Sequence, residues 1–237
     1  AQQGFLVHCC FDGQSGLEQA YCKKFELILL DVSEAFLYEI NQEICEFLLD
    51  NQSDLIVEPL IGNVQSGMLM SHIFHKYKVQ TIYHAAAYKH VPLLQRQARE
   101  TMKNNVVGTH TVAALAADYS IESFVLISTD KAVNPSSMMG ASKRAAEAVC
   151  VAFDALTETR FTIVRFGNVL GSAGSVVPLF ARQIAEGGPV TVTHPDMTRY
   201  FMTLAEASQL ILQASLIGQG SEIYVLNMGE PVNIAYL

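Results

Sequence analysis

Short apolar runs alternate along the chain with longer stretches in which apolar residues recur at the spacing of one helix face. The runs FLVHCC (5–10), LILLD (27–31), LIVEPLIG (55–62), TIYHAA (81–86), FVLIS (124–128) and FTIVRFG (161–167) are nearly continuous, as strands buried on both faces are. Between them the periodicity predicts helices near 16–23, 36–48, 66–77, 98–118 and 140–155. The stretch 98–118 is long and rich in Ala and Val, as suits a helix packed on a sheet. Strands alternating with helices make βαβ units, so the expected fold class is α/β, a Rossmann-type doubly wound parallel sheet of six strands. After Gly167 the texture changes to Gly, Ser and Pro at 171–178 and 187–195, with helices near 178–186 and 204–216. The expected organisation is therefore a dinucleotide-binding domain over 1–167 and a smaller, incomplete substrate-binding region over 168–237, interleaved with the sheet.

Composition narrows the function classes. The 237 residues are 50% hydrophobic and 16% charged, with a formal charge of -8, which suits a soluble globular protein and disfavours a nucleic-acid surface. Five cysteines, Cys9, Cys10, Cys22, Cys45 and Cys150, are an odd number without metal-ligand spacing, and they point to a reduced, cytoplasmic setting. The histidines share no ligand spacing either, so no metal site is expected. No apolar run approaches the roughly 18 residues of a membrane span, and no signal peptide is recognisable. The chain opens without a methionine and stops at NIAYL without a closing helix, which reads as a piece of something longer.

Candidate chemistry begins at CCFDGQSGLEQ, where Gly13 and Gly16 form a Gly-x-x-Gly turn between the first strand and the first helix. Such a turn brings backbone N–H groups to a pyrophosphate at a helix N-terminus. Cys10 stands where a further glycine is expected and Asp12 adds a negative charge, so an ordinary strand-to-helix turn explains these residues equally well. Asp31 ends the second strand 15 residues after Gly16, near the spacing at which a carboxylate binds the adenosine ribose and repels a 2′-phosphate. A helix N-cap or an ordinary loop residue is the alternative role for Asp31. Asn63 and Val64 follow the third strand, where an adenine ring would lie.

The motifs HAAAYKHVP (84–92), NNVVGT (104–109), STDKAVNPSSMMGASKR (128–144), RFGNVLGSAGSVVPLF (165–180) and VTHPDMTRYFMT (192–203) carry a resemblance. Over residues 81–232 the chain resembles the UDP-N-acetylglucosamine 4,6-dehydratase family of polysaccharide-biosynthesis proteins, within the extended short-chain dehydrogenase/reductases. Gln95, Gln97 and Asn227 depart from the family pattern. The resemblance implies NAD as cofactor, with Ala85, Ala86 and Asn105 at cofactor positions beside those already named, and Lys143 on the nicotinamide ribose. It implies Thr129 near the sugar C4 oxygen, Asp130 and Lys131 as the pair that removes water across C5 and C6, and Lys89, Asn168 and Arg199 as contacts of a UDP-sugar. Met139 stands four residues before Lys143, where the superfamily places a catalytic tyrosine. Some larger relatives, with membrane helices ahead of the catalytic domain, carry methionine there. The implied setting is cytoplasmic, as a free protein or as the soluble part of an inner-membrane protein, and the implied assembly is a homo-oligomer.

A thioether cannot move a proton, so the implied reaction needs its acid and base elsewhere. Oxidation at C4 acidifies the C5 proton, after which one base and one acid suffice for elimination. Asp130 and Lys131 offer both, provided that Lys131 is neutral, through burial or through Lys143 nearby. The C4 hydroxyl proton would leave by way of Thr129 and an ordered water, with Lys143 stabilising the alkoxide. Two other readings stay open. A nucleotide-sugar 4-epimerase would need neither Asp130 nor Lys131, and a non-catalytic NAD(H)-binding sensor or scaffold would account for Met139 and Cys10.

Overall fold

The computed structural model describes residues 26–237 apart from Ala173. The strand expected at 5–10, the helix near 16–23, and Gly13 and Gly16 lie outside the described residues. Strands β1 (Glu26–Asp31) and β2 (Ile56–Ile61) pair in parallel. Strands β3 (Thr81–His84), β4 (Ser123–Thr129) and β5 (Arg160–Phe166) follow, then the short β6 (Asn168–Val169), β7 (Thr198–Arg199) and β8 (Phe201–Met202), β9 (Ile223–Val225) and β10 (Val232–Asn233). The larger sheet has the order β3-β4-β5-β9 and is parallel throughout. The chain thus has the expected Rossmann-type α/β fold.

Alternation along β4 and β5 explains the layers. Phe124, Leu126, Phe161 and Ile163 point to one face, where they meet Val112, Ala113, Ala116, Ala146 and Cys150 from two helices. Val125 and Val164 point to the other, against Met202, Ala214 and Leu226. Both faces are covered, so the strands read as unbroken apolar runs. Pro59 sits within β2, whose one neighbour among the described residues is β1, and an edge position tolerates the missing N–H.

Two expectations needed correction. The helix read as 98–118 is three pieces: Ala98–Met102, a π-helical turn over Lys103–Val107, and Gly108–Asp118. Apolar periodicity cannot register a local change of helical pitch, nor the hydrogen bonds between Asn105 within this turn and the distant Tyr88 backbone. Strand β9 was not anticipated, because three residues are too few to show a pattern. It pairs with β5 through Ile163 and Ile223, so a segment after residue 168 completes the sheet edge. Among the described residues no helix is long and apolar enough to cross a membrane.

Candidate active site

The C-terminal ends of the parallel strands carry the polar residues, as in open α/β sheets generally. Strand β4 ends at Thr129 and runs into a single 3₁₀ turn, Asp130–Ala132. Thr129 Oγ1 donates to Asp130 Oδ1 at 2.9 Å and accepts from the Lys131 N–H at 3.4 Å, which fixes the turn. Lys131 Nζ donates to the same Asp130 oxygen at 2.9 Å and to Asn168 Oδ1 at 3.1 Å. Four residues named from the sequence therefore form one partly exposed cluster, and Asn168 joins it from β6, 37 positions away.

The Met138–Asp154 helix supplies the next layer. Ser137 caps it, accepting from the Gly140 N–H at 3.2 Å, and Gln95 Oε1 accepts from the Met138 N–H at 3.1 Å. Lys143 is 9% exposed and donates from Nζ to the Ile127 carbonyl at 2.6 Å, two residues before Thr129. Burial pulls its pKa from 10.5 down to about 8, against the opposing pull of Cys150 and Glu147. Met139 is 6% exposed and packs as core at the head of the same helix.

Asn105 lies beneath this helix. Its amide donates to the Tyr88 carbonyl at 3.0 Å and to Ser142 Oγ at 3.0 Å. Its carbonyl accepts from the Tyr88 N–H at 2.7 Å and from Asn104 Nδ2 at 3.1 Å. Both amide protons and both carbonyl lone pairs are engaged within the protein, so Asn105 ties the loop after β3 to the helix that carries Lys143. Ser142 passes the tie on, donating to the Met139 carbonyl at 2.7 Å. Gln65 Nε2 reaches Asn104 Oδ1 at 3.1 Å, and the Gln65 N–H donates to Asn63 Oδ1 at 2.8 Å. The loop after β2 is thereby coupled to the same π-helical turn.

The remaining positions lie around this centre. Asp31 ends β1 and is exposed, with Oδ1 accepting from the Ser33 N–H at 2.7 Å. Ser33, not Asp31, is the N-cap of the Glu34–Asp50 helix, so for Asp31 the N-cap role falls away while the loop role stays open. Ala85 and Ala86 are exposed just past β3, Val64 is half-buried against the core, and Asn63 and Lys89 are exposed. Arg199 lies on β7, which pairs with β10, and donates to its neighbour's carbonyl, Thr198 O, at 2.7 Å.

Sequence reading missed a buried carboxylate behind the site. Glu147, one helical turn after Lys143, is 1% exposed. It accepts from Ser128 Oγ at 2.5 Å, from Arg165 Nε and Nη2 at 2.8 and 2.6 Å, and from Arg144 at 3.2 Å. Burial alone would raise its pKa, yet the hydrogen bonds from Arg165 and Ser128 and the Arg165 charge hold it below the ordinary carboxylate value. The signal was present in the spacing, since positions i and i+4 share a helix face. Arg165→Met would leave this carboxylate buried without its fork, and chemical denaturation should show a loss of about 3–5 kcal/mol.

His84 is a second buried group the reading passed over. Thr109 donates its proton to the Asn105 carbonyl at 2.7 Å, so its oxygen accepts from His84 Nε2–H at 3.0 Å. Burial, followed by the charge on Lys143, lowers the His84 pKa to about 3 and keeps the ring neutral.

The fold is that of the Rossmann-type α/β proteins, with a polar cluster at the C-terminal edge of the parallel sheet. The sequence pattern of the family described as "Polysaccharide biosynthesis protein" matches residues 15–237, and the chain belongs to this family. It is 49% identical over 213 residues to the capsular polysaccharide biosynthesis protein CapD of Staphylococcus aureus, covering 90% of this chain and 35% of CapD. It is 33% identical to a UDP-glucose 4-epimerase of Rickettsia canadensis, covering 84% of this chain and 58% of that protein. Among solved structures, the dTDP-glucose 4,6-dehydratase DesIV of Streptomyces venezuelae, crystallised with NAD, superposes with a TM-score of 0.80 at 21% identity. That superposition covers 94% of this chain and 73% of DesIV, and it is a likeness of fold. The chain spans about a third of the length of CapD.

Proposed function

We propose that this chain is the catalytic part of an NAD-dependent nucleotide-sugar 4,6-dehydratase that converts UDP-N-acetylglucosamine to a UDP-4-keto-6-deoxy-hexose for surface polysaccharide synthesis. The observation that carries the reading is the contact of Asp130 with Lys131 beside Thr129, at the sheet edge that also holds Lys143. An acid and a base in direct contact are what an elimination needs, whereas oxidising or inverting C4 moves only the C4 hydroxyl proton.

The residues present fit NAD. Asp31 keeps one carboxylate oxygen for a ribose, Ala85 and Ala86 give a floor without bulk, and Lys143 has donors beyond the one given to Ile127. Gly13 and Gly16 would meet the pyrophosphate, and Asn63 and Val64 the adenine. NAD held there would supply hydride acceptance and return between C4 and C6, so the net change would be the loss of water.

The chain's own residues move the protons. The C4 hydroxyl proton leaves by way of Thr129 to solvent, while the buried charge of Lys143 stabilises the oxygen left behind. Moving one proton across the 2.9 Å contact from Lys131 Nζ to Asp130 Oδ1 turns the ion pair into a neutral base and a neutral acid. Lys131 then takes the C5 proton as the C6–O bond breaks, and Asp130 protonates the departing hydroxyl to water. Both groups are back in their charged forms. Lys131 finally reprotonates C5 as C6 is reduced, and it regains a proton from solvent, which balances the one released at C4. Asn168, Lys89 and Arg199 hold the nucleotide sugar. Met139 takes no part beyond packing.

Incubation of the protein with UDP-N-acetylglucosamine and NAD, followed by mass spectrometry, should show a nucleotide sugar lighter by one water. Recovery of a C4 epimer of unchanged mass would favour the epimerase reading, which the Rickettsia relative supports.

The cofactor preference follows from Asp31. A carboxylate about 4 Å from a 2′-phosphate costs about 1–4 kcal/mol, so NAD should bind at least about fivefold tighter than NADP. Asp31→Ser should narrow the ratio in a fluorescence titration. Tighter binding of NADP by the unaltered protein would contradict the assignment.

A further inference from the structure

Gly140 lies in the first turn of the Met138–Asp154 helix, where glycine costs about 1 kcal/mol relative to alanine. Its backbone does not need glycine, because Gly140 is not among the residues of positive φ. The space around it does. A Cβ at Gly140 would fall on the Lys131 carbonyl oxygen, well inside the 3.0 Å that Cβ atoms keep, with Pro135 Cβ at 3.1 Å and the Lys131 carbonyl carbon at 3.2 Å. These neighbours are backbone and ring atoms, which cannot swing aside as the end of a flexible side chain can. All belong to the segment that begins with the Asp130–Ala132 turn.

The helix thus serves two sites at different points. Lys143, three residues after Gly140, is held on the strand by the Ile127 carbonyl. Gly140 instead abuts the turn that presents Asp130 and Lys131, and the nearest atoms in the way of an added methyl group are the Lys131 carbonyl of that turn and Pro135 just beyond it. We propose that Gly140 is a positioning residue that sets the reach of Asp130 and Lys131 toward C6 and C5, and so governs elimination while leaving oxidation at C4 alone. The inference rests on the dehydratase reading.

An alanine must push the Lys131 carbonyl outward by on the order of half an ångström, and a displacement near 1 Å at a reacting group can cost ~10²-fold. The test is a single turnover of NAD-loaded protein with UDP-N-acetylglucosamine in deuterated water, following reduced-nicotinamide absorbance, loss of water by mass, and deuterium at C5. For Gly140→Ala the absorbance should rise within about threefold of the wild-type rate and then persist, while water loss and C5 labelling slow by ~10²-fold. NAD affinity should be unchanged. Water loss at the wild-type rate, or equal slowing of oxidation and elimination, overturns the inference. If Gly140→Ala does not fold, Pro135→Gly decides: it removes the second contact without adding an atom. The same partition in weaker form supports the inference, and unchanged or evenly slowed turnover overturns it. A wild-type protein that makes no dehydrated sugar overturns the dehydratase reading and this inference with it. Wild-type turnover with no partition in the variants overturns the inference alone.

Discussion

On the proposed assignment Lys143→Ala should abolish turnover, with a loss of about 10²–10³-fold or more, whereas Met139→Ala should retain most of it. Only the first change removes a charge from the place proposed for the ribose and the C4 oxygen. Met139 is buried core, so its truncation should instead lower stability by about 2–5 kcal/mol, read by denaturation. Equal losses of activity in the two variants would give Met139 a role in the chemistry. A pH signature accompanies Lys143. With its pKa at about 8 in the folded protein and 10.5 in the unfolded chain, the unfolded chain binds the extra proton between those values. Stability contributed at this site therefore rises as pH rises through that window. Melting temperatures of the NAD-free protein should show the rise, and those of Lys143→Met should lack it.

Asp130→Asn should stall the enzyme between oxidation and elimination, because an amide cannot deliver the proton that the leaving hydroxyl needs. Reduced nicotinamide and the 4-keto hexose would then accumulate, visible as near-ultraviolet absorbance in an enzyme whose normal cycle shows no net change. The expected slowing of elimination is ~10²–10⁴-fold. Lys131→Ala should lose both product and the solvent deuterium that turnover in deuterated water places at C5. Normal turnover by Asp130→Asn would break the division of labour between the two residues. So would a folded, substrate-binding variant that shows no reduced cofactor. Because Lys131 also contacts Asn168 at 3.1 Å, part of any Lys131→Ala effect will fall on substrate binding, and the deuterium label separates the two.

Much of the site was legible as short-range spacing. Thr129, Asp130 and Lys131 are consecutive at a strand end, so their contact follows once β4 is recognised. Met139 and Lys143 are four apart on one helix, and Glu147 four further on, so their shared face is a consequence of helical period. What spacing could not show is how polar capacity is used. Asn105 reads as a polar residue on a central helix, but folding engages all of its hydrogen-bonding groups with Tyr88, Ser142 and Asn104, contributed from up to 37 positions away. The π-helical turn around it is invisible for the same reason.

The sequence by itself determined the class of fold and the strand ends that carry the candidate site. Burial on both faces demands unbroken apolar runs, and a parallel sheet needs a helix between each pair of strands, so both constraints are written locally. Tertiary structure alone decided which distant residues complete the site. It brought Asn168 to Lys131, set Arg165 against Glu147, and pressed Gly140 onto the Lys131 carbonyl. Such contacts depend on the packing distance between a helix and a turn, and that distance is a property of the closed core, with no periodicity to reveal it along the chain.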